Sequence, residues 1–383
     1  MKMTRPLAGL AVLALVAAAC GGGGDSAEST TTSSTTTSTS TTVKATTTTR
    51  PAPTTSTTVP ATIRQPLTGE PLDSVDDILL RPALVAKIDN NAAAVPNHSG
   101  LAVADIVYEE VVEGRTTRFA AVFHSQSADP LGPIRSGRTQ DINLFTSYNE
   151  PLFVWSGGNA NVTRAINDSF LVNMGPNRAT GYYRGPGRAP HNLYNTTDDI
   201  WFQTPEGFPG PPPQHFVYLE ADEEFDGESV DGVRARVGSE RIEWTWNPEF
   251  DQFDRSQRGR EHNDKTFGRI RSTNVIVMGV QYLPSVADRR SPEAQTLGEG
   301  PAYVFSDGQL IEGTWKRDVV FFPIEYLDAD GEPIAINPGN TWIELADIDD
   351  VVDGAVEVLA ATPPTPGPRG DSTPTERRSR KYA

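Results

Sequence analysis

The sequence predicts an α+β fold: an N-terminal α/β domain with a mixed sheet, then a mainly antiparallel β domain, framed by a disordered Thr/Ser stalk and a basic tail. Three observations predict it. Between positions 83 and 168, apolar strand-like runs alternate with segments of helical period, the pattern of an α/β unit. From 216 to 345, short β-rich runs follow one another, with Asp307-Gly308, Asp330-Gly331 and Pro338-Gly339 as turns between several of them. The two ends lack the apolar content that would offset the entropy of ordering them.

Positions 1–19 read as an export signal, with Lys2 and Arg5 ahead of a short apolar run. About 13 apolar residues are too few to span a bilayer. Cys20 is the only cysteine and follows Ala17-Ala18-Ala19, where a lipoprotein signal is cut and acylated. The alternative is an ordinary signal peptide with an incidental cysteine. If Cys20 is acylated, the folded part holds no thiol, which excludes disulfides and cysteine metal sites. Positions 20–62 are the Thr/Ser/Pro stalk, with a coil span of roughly 35 Å. The N-terminal domain is expected over 63–208 and the β-rich domain over 209–361. Proline-rich 204–214 is the junction, and 362–383 is the basic tail.

Within the first domain, Ala83 to Asp89 reads as a buried strand ending in Asn90-Asn91. Ile106 to Glu113 is a strand that turns at Gly114 and returns over Arg118 to His124. A period of two places Val107, Glu109, Val111 and Glu113 on one face. Pro151 to Trp155 is a further strand, and Ala160 to Asp168 carries the period of a helix. In the second domain Val319 to Phe322 is among the expected strands. Trp244, Trp246, Trp315 and Trp342 are expected as packing residues rather than a sugar platform.

The most distinctive stretch is Gly132 to Asp141, which holds Arg135 and Arg138. From 114 to 191 there are eight arginines, no lysine and four acids, so the segment is net +4 in a chain of net charge −17. Arginine without lysine suits forked recognition of carboxylate or phosphate. The competing reading is that these arginines pair with the chain's own carboxylates. The acidic total argues against nucleic acid as a partner. There is no P-loop, no dinucleotide glycine motif, no HExxH and no GxSxG. The five histidines are scattered, so no metal or cofactor is expected.

Several segments resemble the YerB-like bacterial lipoproteins. They are Arg81-Pro82 through Asn90, Ala104 to Glu109, Val112-Glu113-Gly114 with Thr117-Arg118-Phe119, Gly132 to Arg138, and Ala189 to Tyr194. In the second half they are Asn274 to Val277, Gly298 to Phe305, Asp307-Gly308, Gly313-Thr314-Trp315 and Asn337 to Trp342. Gly137 stands where alanine is usual. The resemblance implies a two-domain topology and a lipid-anchored location, and it carries no reaction. Thr117 to Phe123 followed by Pro133-Ile134-Arg135 more distantly resembles LytR-CpsA-Psr phosphotransferases, in which a Pro-Arg-Asp element grips a polyprenyl pyrophosphate. Here Ser136 replaces that aspartate, and Ser156-Gly157-Gly158 stands where a Gly-Gly turn is found. What this likeness implies is an anion pocket.

The first expectation is therefore a non-catalytic envelope lipoprotein on the outer face of the cytoplasmic membrane. It binds an anionic group through Arg118, Arg135, Ser136 and Arg138, with His191 and Asn192 on a covering loop. Its partners are the membrane, through the lipid, and an anionic glycan, a lipid-linked phosphate or an envelope protein. The second expectation is an envelope enzyme acting on phosphate or glycan, with Asp89, Glu109 or Glu113 as base or metal ligand. The third is a structural interaction module.

Overall fold

The computed structural model describes residues 62–362. The export signal, Cys20, almost all of the stalk and the tail beyond Thr362 lie outside the described residues.

The first half builds a mixed sheet. β1 (Leu84–Asp89), β2 (Ile106–Val111) and β3 (Thr117–Phe123) pair antiparallel, with β3 in the middle. β4 (Leu152–Val154) runs parallel to β1, and β5 (Val172–Asn173) runs parallel to β4. α1 (Gln140–Phe145) and α2 (Ala160–Asn167) cover one face. α2 starts where it does because the Asn159 side chain accepts from the amides of Asn161 and Val162, both at 3.0 Å. Val162 and Ile166 are its buried residues, one turn apart on one stripe.

The sheet continues into the second half. Thr341–Asp347 runs parallel to β2 on one side and parallel to Asn274–Pro284 on the other. Gly298–Ser306 and Gln309–Arg317 then add antiparallel strands. The two halves thus share hydrogen bonds across their border. A second layer is the antiparallel meander Glu228–Val237, Glu240–Asn247 and Gln252–Gln257. The second half is mainly antiparallel as expected; its parallel pairs are Thr341–Asp347 with Asn274–Pro284 and the short Ala335–Ile336 with Val217–Tyr218.

Each face of the central sheet buries its own core. On one face Val107, Phe119, Val275 and Trp342 meet Val233, Ile242, Trp244 and Phe253 of the meander. On the other, Ile106, Tyr108, Val122 and Ile343 meet Phe145, Tyr148, Phe153 and Ile166. Trp244, Trp315 and Trp342 are buried, as packing residues should be. Val319 to Phe322 departs from expectation. It is a turn wrapped around the Arg317 guanidinium, which donates to the carbonyls of Val320, Phe322 (2.8 Å) and Asn143 (2.9 Å). A buried guanidinium there uses carbonyls that a strand would have kept in its ladder.

His215 stacks on Tyr148 with ring centroids 3.8 Å apart. Burial pulls its imidazole from 6.5 down to about 3; the Pro213 carbonyl opposes the shift and the Arg317 charge adds to it. The unfolded chain therefore takes up a proton below pH 6.5 that the folded chain refuses until about pH 3. Stability from neutral His215 is complete above pH 6.5 and is lost as pH falls. In urea titrations, wild type should lose ground to His215→Phe by about 1.4 kcal/mol per pH unit between pH 6 and 4. A constant gap between the two would contradict this burial.

Candidate functional site

β1 and β4 are parallel only over Leu84–Ala86 and Leu152–Val154, so their carboxyl ends part. The Gly132–Ser136 segment fills the gap. Ile134 bridges Ile88, Arg135 N donates to the Lys87 carbonyl at 2.8 Å, and Ser156 N donates to the Arg135 carbonyl at 3.0 Å. In open sheets, the crevice beyond the carboxyl ends of parallel strands is where ligands bind. Asp89 ends β1 here, Ser156 to Asn159 follow β4, and Arg118 lies opposite Asp89 on β3.

The three arginines converge, in three different states. Arg138 is engaged by Glu113: Nε donates to Oε1 at 2.8 Å, and Nη2 pairs with Oε2. For this residue the internal-pairing expectation is the one realised. Arg135 holds only one long contact, Nε to Asp89 Oδ2 at 3.4 Å, and its terminal nitrogens make no hydrogen bond among the described residues. Arg118 donates from Nη1 to the Ser136 carbonyl at 2.9 Å and touches no carboxylate among the described residues. Burial pulls its guanidinium down to about 10, and the charges of Arg138 and Arg135 push it further. Three guanidinium groups therefore stand against two carboxylates, Asp89 and Glu113.

A loop covers this cluster. His191 Nδ1 lies 2.5 Å from Asp89 Oδ2. Asn192 faces inward to its own loop, accepting from Arg184 at 3.0 Å and donating to the Gly187 carbonyl at 3.2 Å. It shapes the cover rather than facing the arginines. Beside Arg138 opens a cavity of about 470 Å³, lined by Ser136, Ser156, Asn159, Glu113, Asp288 and Arg290 among others. A larger concavity of about 1010 Å³ lies on the outer meander. There Arg234, Arg236 and Arg258 are matched by Glu243, Asp350 and Glu240, while Arg241 and Arg260 stand on its rim without an ion pair among the described residues.

The three acids named from the sequence do not meet. Asp89 belongs to the arginine cluster, and Glu113 is bound to Arg138. Glu109 is fully buried between the layers against Arg255, Asn90 (3.1 Å) and Thr117 (2.5 Å). Glu109 and Glu113 separate because β2 ends at Val111 and Glu113 already belongs to the 3-10 turn Glu113–Arg115. Among the described residues no group of three or more His, Cys, Asp or Glu is placed to hold a metal ion.

One array beneath the site has no sequence signal. Arg255 Nη1 donates to His262 Nδ1 (2.7 Å), His262 Nε2 to His98 Nδ1 (2.9 Å), and His98 Nε2 to the carbonyl of Asp89 (2.6 Å). A carbonyl only accepts, so the direction of every bond follows and both imidazoles are neutral. Burial agrees, pulling His98 down to about 4 and His262 well below its usual range. The array locks the end of β1 and hence the position of Asp89. Its partners are 164 and 7 residues apart, so spacing could not reveal it.

Comparisons with known proteins decide the family. Residues 67–207 match the model described as "Protein of unknown function (DUF3048) N-terminal domain", and residues 233–343 match its C-terminal domain. The chain belongs to the DUF3048 family. It is 25% identical over 294 residues to "Putative lipoprotein YerB" of Bacillus subtilis (strain 168), covering 74% of this chain and 86% of that relative. The crystal structure of the YerB protein from Bacillus subtilis matches with a TM-score of 0.65 at 24% identity, over 77% of this chain and 99% of the other. That likeness shows the shared DUF3048 fold. Among the described residues no helix is long and apolar enough to cross a membrane.

Proposed function

We propose that this DUF3048 protein is a lipid-anchored envelope protein that binds an anionic ligand at the carboxyl ends of β1 and β4. Cys20 supplies the anchor, and the stalk carries the folded part away from the outer face of the membrane. Arg118 and Arg135 grip the anion, Ser136 and the Ser156–Asn159 turn line its approach, and His191 closes over it. Arg138 shapes the pocket through Glu113. One observation carries this reading: three crowded guanidiniums face two carboxylates, and two of the three retain unused donors. An arriving phosphate or carboxylate relieves their mutual repulsion and accepts in forked geometry. The ligand classes that fit are a phosphorylated glycan, a lipid-linked phosphate or an acidic segment of an envelope protein.

The test is equilibrium binding of a polyprenyl pyrophosphate, a phosphorylated glycan and an acidic peptide. Arg135→Ala and Arg118→Ala should each weaken the preferred ligand by about 10- to 100-fold, the worth of charged hydrogen bonds. Arg241→Ala, an exposed arginine of the meander, should leave it unchanged. Equal binding by all three variants would remove the proposal.

A further inference from the structure

The Asp89–His191 pair is more than a cover. A carboxylate can only accept, so the hydrogen bond at Oδ2 places the proton on His191 Nδ1. In the neutral imidazole Nε2 is then the nitrogen with the free lone pair. It makes no hydrogen bond among the described residues, and the side chain keeps 20% of its surface exposed. Asp89 itself is 5% exposed and is fixed from three sides: Asn91 N donates to Oδ1 (3.1 Å), Arg135 Nε approaches Oδ2 (3.4 Å), and His98 holds its carbonyl. An oriented, buried carboxylate behind an outward-facing imidazole is the arrangement of a general base and its positioning group.

The pair is not needed as a latch. The loop is tied down elsewhere, by Ile134 N to the Leu193 carbonyl (2.6 Å), Tyr194 Oη to the Asn97 carbonyl (2.9 Å), and Arg184 to Asn192. Imidazole and Arg135 lie against the same oxygen of Asp89, so the base stands beside the anion-binding guanidinium. The cavity of about 470 Å³ beside Arg138 begins at Ser136, the residue after Arg135, and presents the hydroxyls of Ser136 and Ser156, which make no hydrogen bond among the described residues; Asn159 and Asp288 on its far wall are bonded to each other at 2.9 Å.

We infer that His191 and Asp89 form a general acid–base pair that hydrolyses a phosphodiester held by Arg118 and Arg135, with its sugar or polyol side in the adjoining cavity. This rests on the anion reading above. His191 Nε2 takes a proton from water as the water oxygen bonds to phosphorus. The bond from phosphorus to the bridging oxygen breaks, and the departing alkoxide receives that proton from the imidazolium. The products are a phosphomonoester and an alcohol, and the imidazole returns to neutral. Arg118 and Arg135 stabilise the charge that builds on the equatorial oxygens.

The experiment uses the purified full chain in detergent, with bis(4-nitrophenyl) phosphate and a glycerol-phosphate dimer as substrates and inorganic phosphate as the binding probe. Wild type should turn over both. His191→Gln should lower kcat by about 100-fold or more, far more than it weakens phosphate affinity, while the thermal midpoint stays near wild type. Asp89→Asn should lower kcat more than it raises KM, and Asp89→Glu should recover part of the loss. Phosphate binding without turnover of either substrate by wild type would overturn the catalytic inference and leave the anion site standing. Undiminished turnover in His191→Gln would do the same. Absence of phosphate binding in wild type would overturn both.

Discussion

Replacing Arg255 with methionine should lower the free energy of unfolding by about 3–5 kcal/mol, the cost of leaving a buried charge without its partner. Arg255 is fully buried and lies over two glutamates that are register neighbours on parallel strands, Glu109 on β2 and Glu344 on Thr341–Asp347. It pairs with Glu109 Oε2, and its Nε lies 3.5 Å from Glu344 Oε1. Phe119, Trp244 and Trp342 surround the guanidinium, with centroids 5.3, 5.6 and 4.8 Å away. One cation cannot neutralise two carboxylates. Burial pushes the Glu344 carboxyl well above its usual range, and Glu109 adds to the shift while Arg255 opposes it. Glu344 is thus held toward its protonated form, and Glu109, which accepts from Asn90, Thr117 and Arg255, is the partner that needs Arg255.

That division sets three outcomes for urea denaturation at pH 7. Arg255→Met should be severe, Glu344→Gln near neutral, and Arg255→Met combined with Glu109→Gln should recover much of the loss. Arg255→Met should also weaken phosphate binding, because the histidine array that locks Asp89 loses its first donor. A mild Arg255→Met would show that water or rearrangement reaches this layer. A severe Glu344→Gln would show that Glu344 is the ionised member.

The frame of the site was legible in the sequence. The apolar run ending in Asp89 became β1, and the count of arginines without lysine marked three guanidiniums that do converge. The state of each was not legible, because Glu113 reaches Arg138 only after the chain has folded back. The same limit applies inside the sheet. A period of two correctly sets Glu109 beside Val107 and Val111, but it does not say what stands opposite. Arg255 arrives from 146 residues away, on a strand of the second half, and Lys87 is a single ammonium in an otherwise buried, mostly apolar strand. A lysine inside a fully apolar run is itself a signal, since such a residue is rarely buried without a partner.

Lys87→Met tests the other face of the same strand pair. Glu109 and Glu110 are adjacent on β2 and so point to opposite faces, and each finds its own cation. Lys87 Nζ pairs with Glu110, and lies 2.8 Å from Asp141 Oδ1 in the first turn of α1. All three side chains are fully buried. Burial pulls the Lys87 ammonium from 10.5 down to about 8, with Asp141 opposing the shift and Arg118 and Arg138 adding to it. The triad therefore adds little net stability, yet removing its only cation strands two carboxylates. Lys87→Met should cost about 3–5 kcal/mol, and adding Glu110→Gln and Asp141→Asn should restore much of it.

The folded lysine gives up its proton near pH 8, whereas the unfolded one keeps it to about 10.5. Between those values the unfolded chain binds the extra proton, so wild type should gain on Lys87→Met by up to about 1.4 kcal/mol per pH unit as pH rises. Asp141 links this charge to the site, because its Oδ2 accepts from the Arg138 amide at 2.6 Å and so holds the arginine loop. Anion binding should fall with stability in Lys87→Met and return in the triple variant only if the loop regains its shape. Recovery of stability without recovery of binding would show that Asp141, through that amide, sets the geometry of the arginines.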